Sequence, residues 1–432
     1  MRRRDFVKTV AAAAAPVLIP RHVLSAPGKP GANDRIRTAV IGCGARSAVL
    51  VAQSPGDIEI IALADCDRRQ MGPESAFGKT AAGLRPDGFP EWSRYQDYRE
   101  MLDKEKLDAV FVGTTTHARV LCCIHAAQAG LDIYAEKPLT LTIAEGRALV
   151  KAVRKHRRVF QAGTQARSLR LDMWVAEFIR KGGLGRIEKV VANNFLGPAR
   201  RAPTAAQPVP PEMNWDLWCN QAELVPHDTS LYHGCGKWGQ WSAYDGGGSS
   251  WGVTGWGTHS YDAVQAALGT DETGPVEVWV VTPGDPTSPV CMRYASGILL
   301  EMNLPRQRGP VWGAIFIGEK GKIETNRNRC VSNPPELVAA QPPTAPVWGG
   351  ADTRSHVEDW VQCIRTRQRP RADVEIAHRT ATICHLVNIA RDLGRRLRWN
   401  PDKEVFVGDE QANRHPSVTR PRRKGYKLPK IV

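Results

Sequence analysis

The chain has 432 residues, 42% of them hydrophobic, which is length for about two or three domains and enough apolar mass for real cores. Its formal charge is +15, but Lys and Arg lie scattered over 151–158, 365–371 and the C-terminal tail, not interleaved with aromatics on one face. That describes a solvated basic surface and argues against a nucleic-acid partner, while acidic sugars or a polyanionic envelope would suit it.

Residues 1–32 stand apart from the fold. Arg2-Arg3-Arg4-Asp5-Phe6-Val7-Lys8 precedes an Ala-rich apolar run to Ile19 and then Leu24-Ser25-Ala26. A basic region, a short apolar region and a small-residue cleavage site make a signal peptide. Consecutive arginines followed by Phe-Val-Lys resemble a twin-arginine export signal, which places the mature protein in the periplasm or another extracytoplasmic space. An ordinary secretory signal or a retained tether stays open. The apolar run is too short for a stable membrane anchor. Cleavage after Ala26 would leave Pro27 first, so a site near Ala32 is an alternative.

Residues 33–162 alternate strand and helix, the pattern of a doubly wound parallel sheet of Rossmann type. Strands are expected at Ile36 to Ile41, Ile58 to Ala64, Ala109 to Val112, Leu131 to Ala135 and Val159 to Gly163. Helices are expected at Ala45 to Gln53, Tyr98 to Leu102, Ala118 to Ala129 and Ile143 to Lys155. Thr142 and Glu145 form a capping box before the last of these. Met71 to Trp92, rich in Gly and Pro, is expected to be a surface loop near the adenosine end. From residue 163 to 400 the pattern changes to a helix (Met173 to Arg180), a long strand (Ile187 to Phe195), an irregular Trp-rich stretch, five strands and two closing helices. This is a separate α+β domain on a large, mainly antiparallel open sheet. Residues 401–432 form a basic tail. Ten cysteines include no C-x-x-C pair, and Cys43, Cys66, Cys122 and Cys123 read as small buried residues, so no metal site is expected.

The first strand runs into Gly42-Cys43-Gly44-Ala45-Arg46-Ser47. Gly42 allows the tight turn, Gly44 lets the backbone approach a pyrophosphate, and the next helix offers its N-terminal N–H groups. Asp65, about twenty residues on at the end of the second strand, would bind a ribose 2′-hydroxyl and favour NAD; Arg68 and Arg69 leave NADP open. Ser47 replaces the third glycine. The third strand ends at Gly113-Thr114-Thr115, and the fourth delivers Glu136-Lys137-Pro138 to the same edge. A Lys beside a nicotinamide can hydrogen-bond a substrate hydroxyl and assist loss of its proton. Six Trp between Trp215 and Trp256 offer faces for sugar rings as well as core packing, and His227, His233, Arg200 and Arg201 share that stretch.

With these residues the chain resembles the Gfo/Idh/MocA oxidoreductases, named for glucose–fructose oxidoreductase and inositol dehydrogenase. The Gly motif, Asp65, Gly113-Thr114, Glu136-Lys137-Pro138, Gly163-Thr164-Gln165 with Arg167, and Trp256-Gly257-Thr258-His259-Ser260-Tyr261-Asp262 carry the likeness from Arg35 to Asn413. The resemblance implies NAD(P), carbohydrate or polyol substrates, and oligomers (a dimer or tetramer) packed through the open sheet. It implies cofactor contacts from Gly42, Gly44, Ala45, Arg46, Asp65, Thr114, Thr115, Glu136, Lys137 and Gln165. Substrate contacts are implied for Lys137, Arg167, Trp256, His259 and Asp262, with Lys137 and His259 catalytic. Two departures stand out. Gly255 takes the place of an Asp one helical turn before His259, and Arg119 stands where the family often has a His. His259 is the expected general base, with Asp245, Tyr261 and Asp262 as candidate substitutes for it.

The expected activity is NAD(P)-dependent oxidoreduction of a secondary alcohol on a sugar, glycoside or polyol. Export of a folded, loaded enzyme implies a tightly bound cofactor recycled in place. The alternatives are an NAD-dependent glycosidase or lyase working by transient ring oxidation, against which Lys137 argues, and a non-catalytic sugar binder, which Gly255 and Arg119 favour.

Overall fold

The computed structural model describes residues 31, 34–83, 91–200, 205–232, 235–248, 252–305, 310–344 and 351–431. The proposed export signal, His233, Arg201 and Trp251 lie outside them. Two sheets organise the chain. In the first, β1 (Ile36–Ile41), β2 (Ile58–Ala64), β3 (Ser93–Tyr95), β4 (Ala109–Val112), β5 (Asp132–Ala135) and β6 (Phe160–Ala162) pair in the order β3-β2-β1-β4-β5-β6, all parallel. β4 and β5 are buried along their whole length, as strands covered on both faces must be. The expected doubly wound sheet is therefore present.

The crossovers are α1 (Ala45–Ala52), α2 (Ala76–Ala82), α3 (Tyr98–Lys104), α4 (Thr116–Gln128) and α5 (Ile143–Lys155). α2 corrects the loop expected at Met71 to Trp92. Ser75 caps it by accepting from the Gly78 N–H at 2.8 Å, and Phe77 anchors it in the core. The Thr142 cap of α5 is as expected, with the Glu145 N–H donating to its hydroxyl at 3.2 Å. The Glu145 carboxylate, however, accepts from Leu141 N–H instead of closing the box on Thr142.

The second sheet is nine-stranded and built from β7 (Ile187–Asn194), β8 (Pro275–Val280), β9 (Val290–Tyr294), β10 (Leu299–Pro305), β11 (Ala314–Gly318), β12 (Gly321–Asn326), β13 (Arg329–Asn333), β14 (Leu397–Asn400) and β15 (Val405–Phe406). Its order is β13-β12-β11-β7-β10-β9-β8-β14-β15. Only β7 and β10 pair in parallel among the registers described; the rest are antiparallel. One face carries α6 (Arg170–Arg180), α8 (Trp256–Leu268) and α10 (Val374–Leu393) over a core that includes Val190, Phe195, Tyr261, Met302, Phe316 and Leu386. The short α7 (Trp215–Cys219) places Leu217 in a core of the first sheet, and α9 (Ala351–Thr366) follows β13. α9 returns to the first sheet, where Val357 and Trp360 share a core with Leu50, Phe111 and Tyr134.

The C-terminal tail is not a loose basic extension. Ser417 and Val418 carbonyls accept from Ile143 and Ala144 N–H, Arg420 and Arg422 donate to the buried Glu145, and Arg423 and Tyr426 reach Asp216 on α7. A fully buried carboxylate needs such partners, so Glu145 explains both the strap and its charge. Among the described residues no helix is long and apolar enough to cross a membrane, and no group of three or more His, Cys, Asp or Glu stands ready to hold a metal. The nine cysteines whose side chains are described are free.

Candidate active site

The turn after β1 sets the dinucleotide end. Gly42 has φ +86°, and a Cβ there would lie 2.8 Å from the Thr114 amide nitrogen, so only glycine fits between β1 and β4. Gly44 caps α1 without a side-chain hydrogen bond, and a Cβ added to it would meet nothing within 4 Å. α1 therefore begins at a glycine with room beside it, the arrangement in which helix N-terminal N–H groups receive a pyrophosphate. Ser47 fits in place of a third glycine because Gly113 makes room: a Cβ on Gly113 would sit 2.1 Å from the Ser47 hydroxyl, which donates to Gly42 O at 2.5 Å. These residues fit the adenine dinucleotide that the Gly motif implies.

Asp65 stands at the end of β2. Its carboxylate accepts from Cys43 N–H at 2.7 Å and Asp67 N–H at 2.9 Å, fastening the Gly turn to β2. Burial raises its pKa to about 6 against the pull of those two N–H groups. A carboxylate accepts from ribose hydroxyls better than a carboxylic acid does. NAD affinity is therefore expected to tighten as the pH rises through about 6 and to weaken by up to ~tenfold per pH unit below it. Calorimetric titration of the apoprotein across that range checks this, and Asp65→Asn should flatten the profile. Arg69 is committed to Asp67 through two bonds of 2.8 Å, while Arg68 is exposed.

Glu136 joins the next set of residues. Its buried carboxylate accepts from Arg46 Nε at 2.7 Å, Gln165 Nε2 at 3.3 Å and the Lys137 N–H at 3.2 Å. Gly163 is required beside it, since a Cβ there would lie 2.7 Å from Oε2. Arg46, Glu136, Lys137 and Gln165 are thereby brought together, with Thr114 and Thr115 at the adjoining end of β4. Arg119 donates to the carbonyls of both Thr114 and Pro138. It clamps the turn carrying Lys137 to the end of β4, a scaffold role for the residue that departs from the family pattern.

Lys137 extends to the start of α8. Its Nζ donates to the Gly255 carbonyl at 3.4 Å and lies 5.5 Å from the Trp256 ring centroid. Where a carboxylate is missing at position 255, the Lys therefore meets backbone. His259, one turn further along α8, is buried, and its Nδ1 lies 2.8 Å from Arg327 Nη2. Arg327 sits in the turn between β12 and β13, 5.7 Å from the Trp312 ring centroid, and Trp312 packs against Trp256 with the rings tilted by 45°. Sequence reasoning missed Arg327. It lies 68 residues from His259 and carries no local motif, and only the return of the second sheet brings it in.

Arg167 and Asp262 were expected to bind substrate. In the structure they are committed to each other. Arg167 Nε donates to both Asp262 oxygens at 3.0 and 2.8 Å, its two terminal nitrogens reach Asp271, and Thr380 donates to Asp262. Of the candidate substitutes for His259 as base, Tyr261 belongs to the core and donates to Asn193 O. Asp245 is the one placed near Lys137. It is held by Thr116 and Thr254, with burial raising its pKa and Arg119 and Lys137 opposing that rise. Of the six Trp, Trp215 and Trp218 stack at 4.5 Å in a core of their own with Trp238 and Trp241 packed against it, and His227 closes edge-on upon Trp215. Among the described Trp of this stretch, Trp256 is the one recorded beside Lys137.

Comparison with known proteins agrees with this geometry. Residues 36–164 match the Gfo/Idh/MocA description "Oxidoreductase family, NAD-binding Rossmann fold", and residues 197–428 match its "C-terminal alpha/beta domain". The chain belongs to the Gfo/Idh/MocA oxidoreductase family, and its N-terminal unit is an NAD-binding Rossmann domain. It is similar to a D-apiose dehydrogenase of Paraburkholderia graminis (34% identity, covering 27% of this chain and 29% of that protein). It is also similar to a glycosyl hydrolase family 109 protein of Stenotrophomonas maltophilia (26% identity, covering 34% and 31%). The chain thus spans about a third of the length of these relatives. The WlbA dehydrogenase of Bordetella pertussis, solved with NADH and UDP-GlcNAcA, shares the fold with TM-score 0.62 at 18% identity, covering 86% of this chain and 99% of that one.

Proposed function

We propose that this protein is an NAD-dependent oxidoreductase acting on a secondary alcohol of a sugar, glycoside or polyol. The observation that carries the reading is Lys137. It stands at the C-terminal end of β5, on the same edge as the Gly42–Gly44 turn and Asp65, and reaches across to Gly255 and Trp256 of the second domain. NAD, when bound, supplies the hydride acceptor or donor. Gly42, Gly44, Ala45, Arg46 and Asp65 would hold its adenosine and pyrophosphate, and Thr114, Thr115, Glu136 and Gln165 line the way to Lys137. Lys137 as neutral amine takes the hydroxyl proton while the carbinol hydride leaves; as ammonium it returns that proton to a carbonyl in reduction. His259 hydrogen-bonds the same oxygen, and the Trp256 face offers a sugar its apolar side. Export through a twin-arginine signal, a tightly held cofactor and a homodimer or tetramer complete the proposal.

The likeness to a glycosyl hydrolase family 109 protein favours a second reading, in which ring oxidation is transient and a glycosidic substituent is eliminated. The protein, purified without added cofactor and then denatured, is expected to release stoichiometric NAD(H) detectable by mass spectrometry. A protein that comes empty and fails to bind added NAD(P) sinks both enzymatic readings. Aglycone release without net NADH would select the second.

A further inference from the structure

We infer that Arg327 fixes His259 as the Nε2–H tautomer, so that His259 acts on substrate as a hydrogen-bond donor and not as a base. The inference deepens the proposed function and rests on it for the identity of the acceptor oxygen. The tautomer itself follows from the contact alone. A guanidinium has five N–H donors and no acceptor. The 2.8 Å approach of Arg327 Nη2 to His259 Nδ1 is a hydrogen bond only if the Nδ1 lone pair accepts it. A neutral imidazole that accepts at Nδ1 carries its proton at Nε2.

Two consequences follow for proton transfer. Nε2 already bears a hydrogen, and the free lone pair is occupied by a cation, so neither nitrogen can take a proton from the substrate. Protonation at Nδ1 would set N–H against N–H and two positive charges within hydrogen-bond distance. The surroundings act in the same direction: burial, Arg327, Lys137 at the end of β5, Arg46 on α1 and His356 on α9 all hold His259 well below the ordinary histidine range. On α6, Asp172 faces Arg327, and burial lifts its pKa to about 7 despite that cation.

This also gives a physical reason for glycine at position 255. A carboxylate one turn before His259 would accept from Nδ1–H and leave Nε2 bare as a base. A guanidinium from the β12–β13 turn has the opposite polarity and leaves Nε2–H. An Asp at 255 and an Arg at 327 would compete for the same ring with opposite tautomers. The NAD that the site would hold would supply the hydride acceptor, and on the protein side the O–H proton goes to Lys137 Nζ as the C=O forms. His259 Nε2–H donates to that oxygen throughout without giving up its hydrogen.

The test is a two-bond 1H–15N correlation spectrum of the full-length protein labelled with 15N-histidine, with His259 assigned by its loss in His259→Gln. The expected wild-type pattern is Nε2–H with Nδ1 unprotonated, unchanged between about pH 5 and 8, the window in which an ordinary histidine titrates. Arg327→Met should free the Nδ1 lone pair, so that the single Nε2–H pattern gives way to one with Nδ1–H populated, while Arg327→Lys, still a pure donor, should keep the wild-type tautomer. A wild-type Nδ1–H tautomer, or an imidazolium in that window, overturns the inference even if both variants misfold. The spectrum requires no cofactor or substrate. Failure of the oxidoreductase reading would appear separately, as absence of NAD binding with the tautomer intact.

Discussion

Lys137→Met is expected to lower turnover by about 10²–10⁴-fold, the usual loss when a positioned proton carrier is removed, with NAD still bound. Methionine keeps the length and apolar stem of the side chain and removes the charge over the Trp256 ring. What is lost is the Nζ that donates to Gly255 O and would face the reacting hydroxyl. The cofactor cradle does not need that nitrogen: the Gly42 turn, Asp65 and the Glu136–Arg46–Gln165 cluster are joined by bonds of their own. Stopped-flow measurement of bound NADH formation separates the two effects. Undiminished hydride transfer would remove Lys137 from the chemistry, and loss of NAD together with turnover would make it a structural residue of the turn.

Much of this site is local, and so it was legible in the chain. A Gly turn after an apolar strand, Asp65 after the next and Lys137 before a proline are read from neighbours a few residues apart, and the parallel sheet then gathers their ends on one edge. The helix α2 was hidden because the Gly and Pro around it read as loop, while its single strong anchor, Phe77, gives no periodicity. The tail read as solvated for a related reason. Its arginines look like surface charge until Glu145, some 275 residues away, is seen buried beneath Arg420. Arg119 and Arg327 share that logic. Each is a cation whose partners carry no signature of their own, backbone carbonyls 5 and 19 residues from Arg119 and a ring nitrogen 68 residues from Arg327. The six Trp show the limit in the other direction: composition suggested a sugar platform, but Trp215 and Trp218 stack on each other.

Arg167 is where sequence expectation and structure lead to different experiments. As a substrate contact its removal would raise KM and leave the fold alone. Its geometry instead predicts that Arg167→Met destabilises the protein by about 3–5 kcal/mol, the cost of leaving a buried charge without its partner. Asp262 has a side-chain exposure of 1%, and after the substitution only Thr380 would remain from its present side-chain partners. Asp271, at 24% exposure, can turn to water and adds little. The clamp joins the segment after β6 to α8, so its loss should also loosen the helix that carries Trp256 and His259. Asp262→Asn should cost less, because the amide oxygen still accepts from Thr380 and Arg167 keeps Asp271. Chemical denaturation of the three proteins, read with KM for the folded fraction, decides the matter. A stability loss under about 1 kcal/mol together with a raised KM would return Arg167 to the substrate, since only a pair whose charges are already exposed to water is that cheap to break.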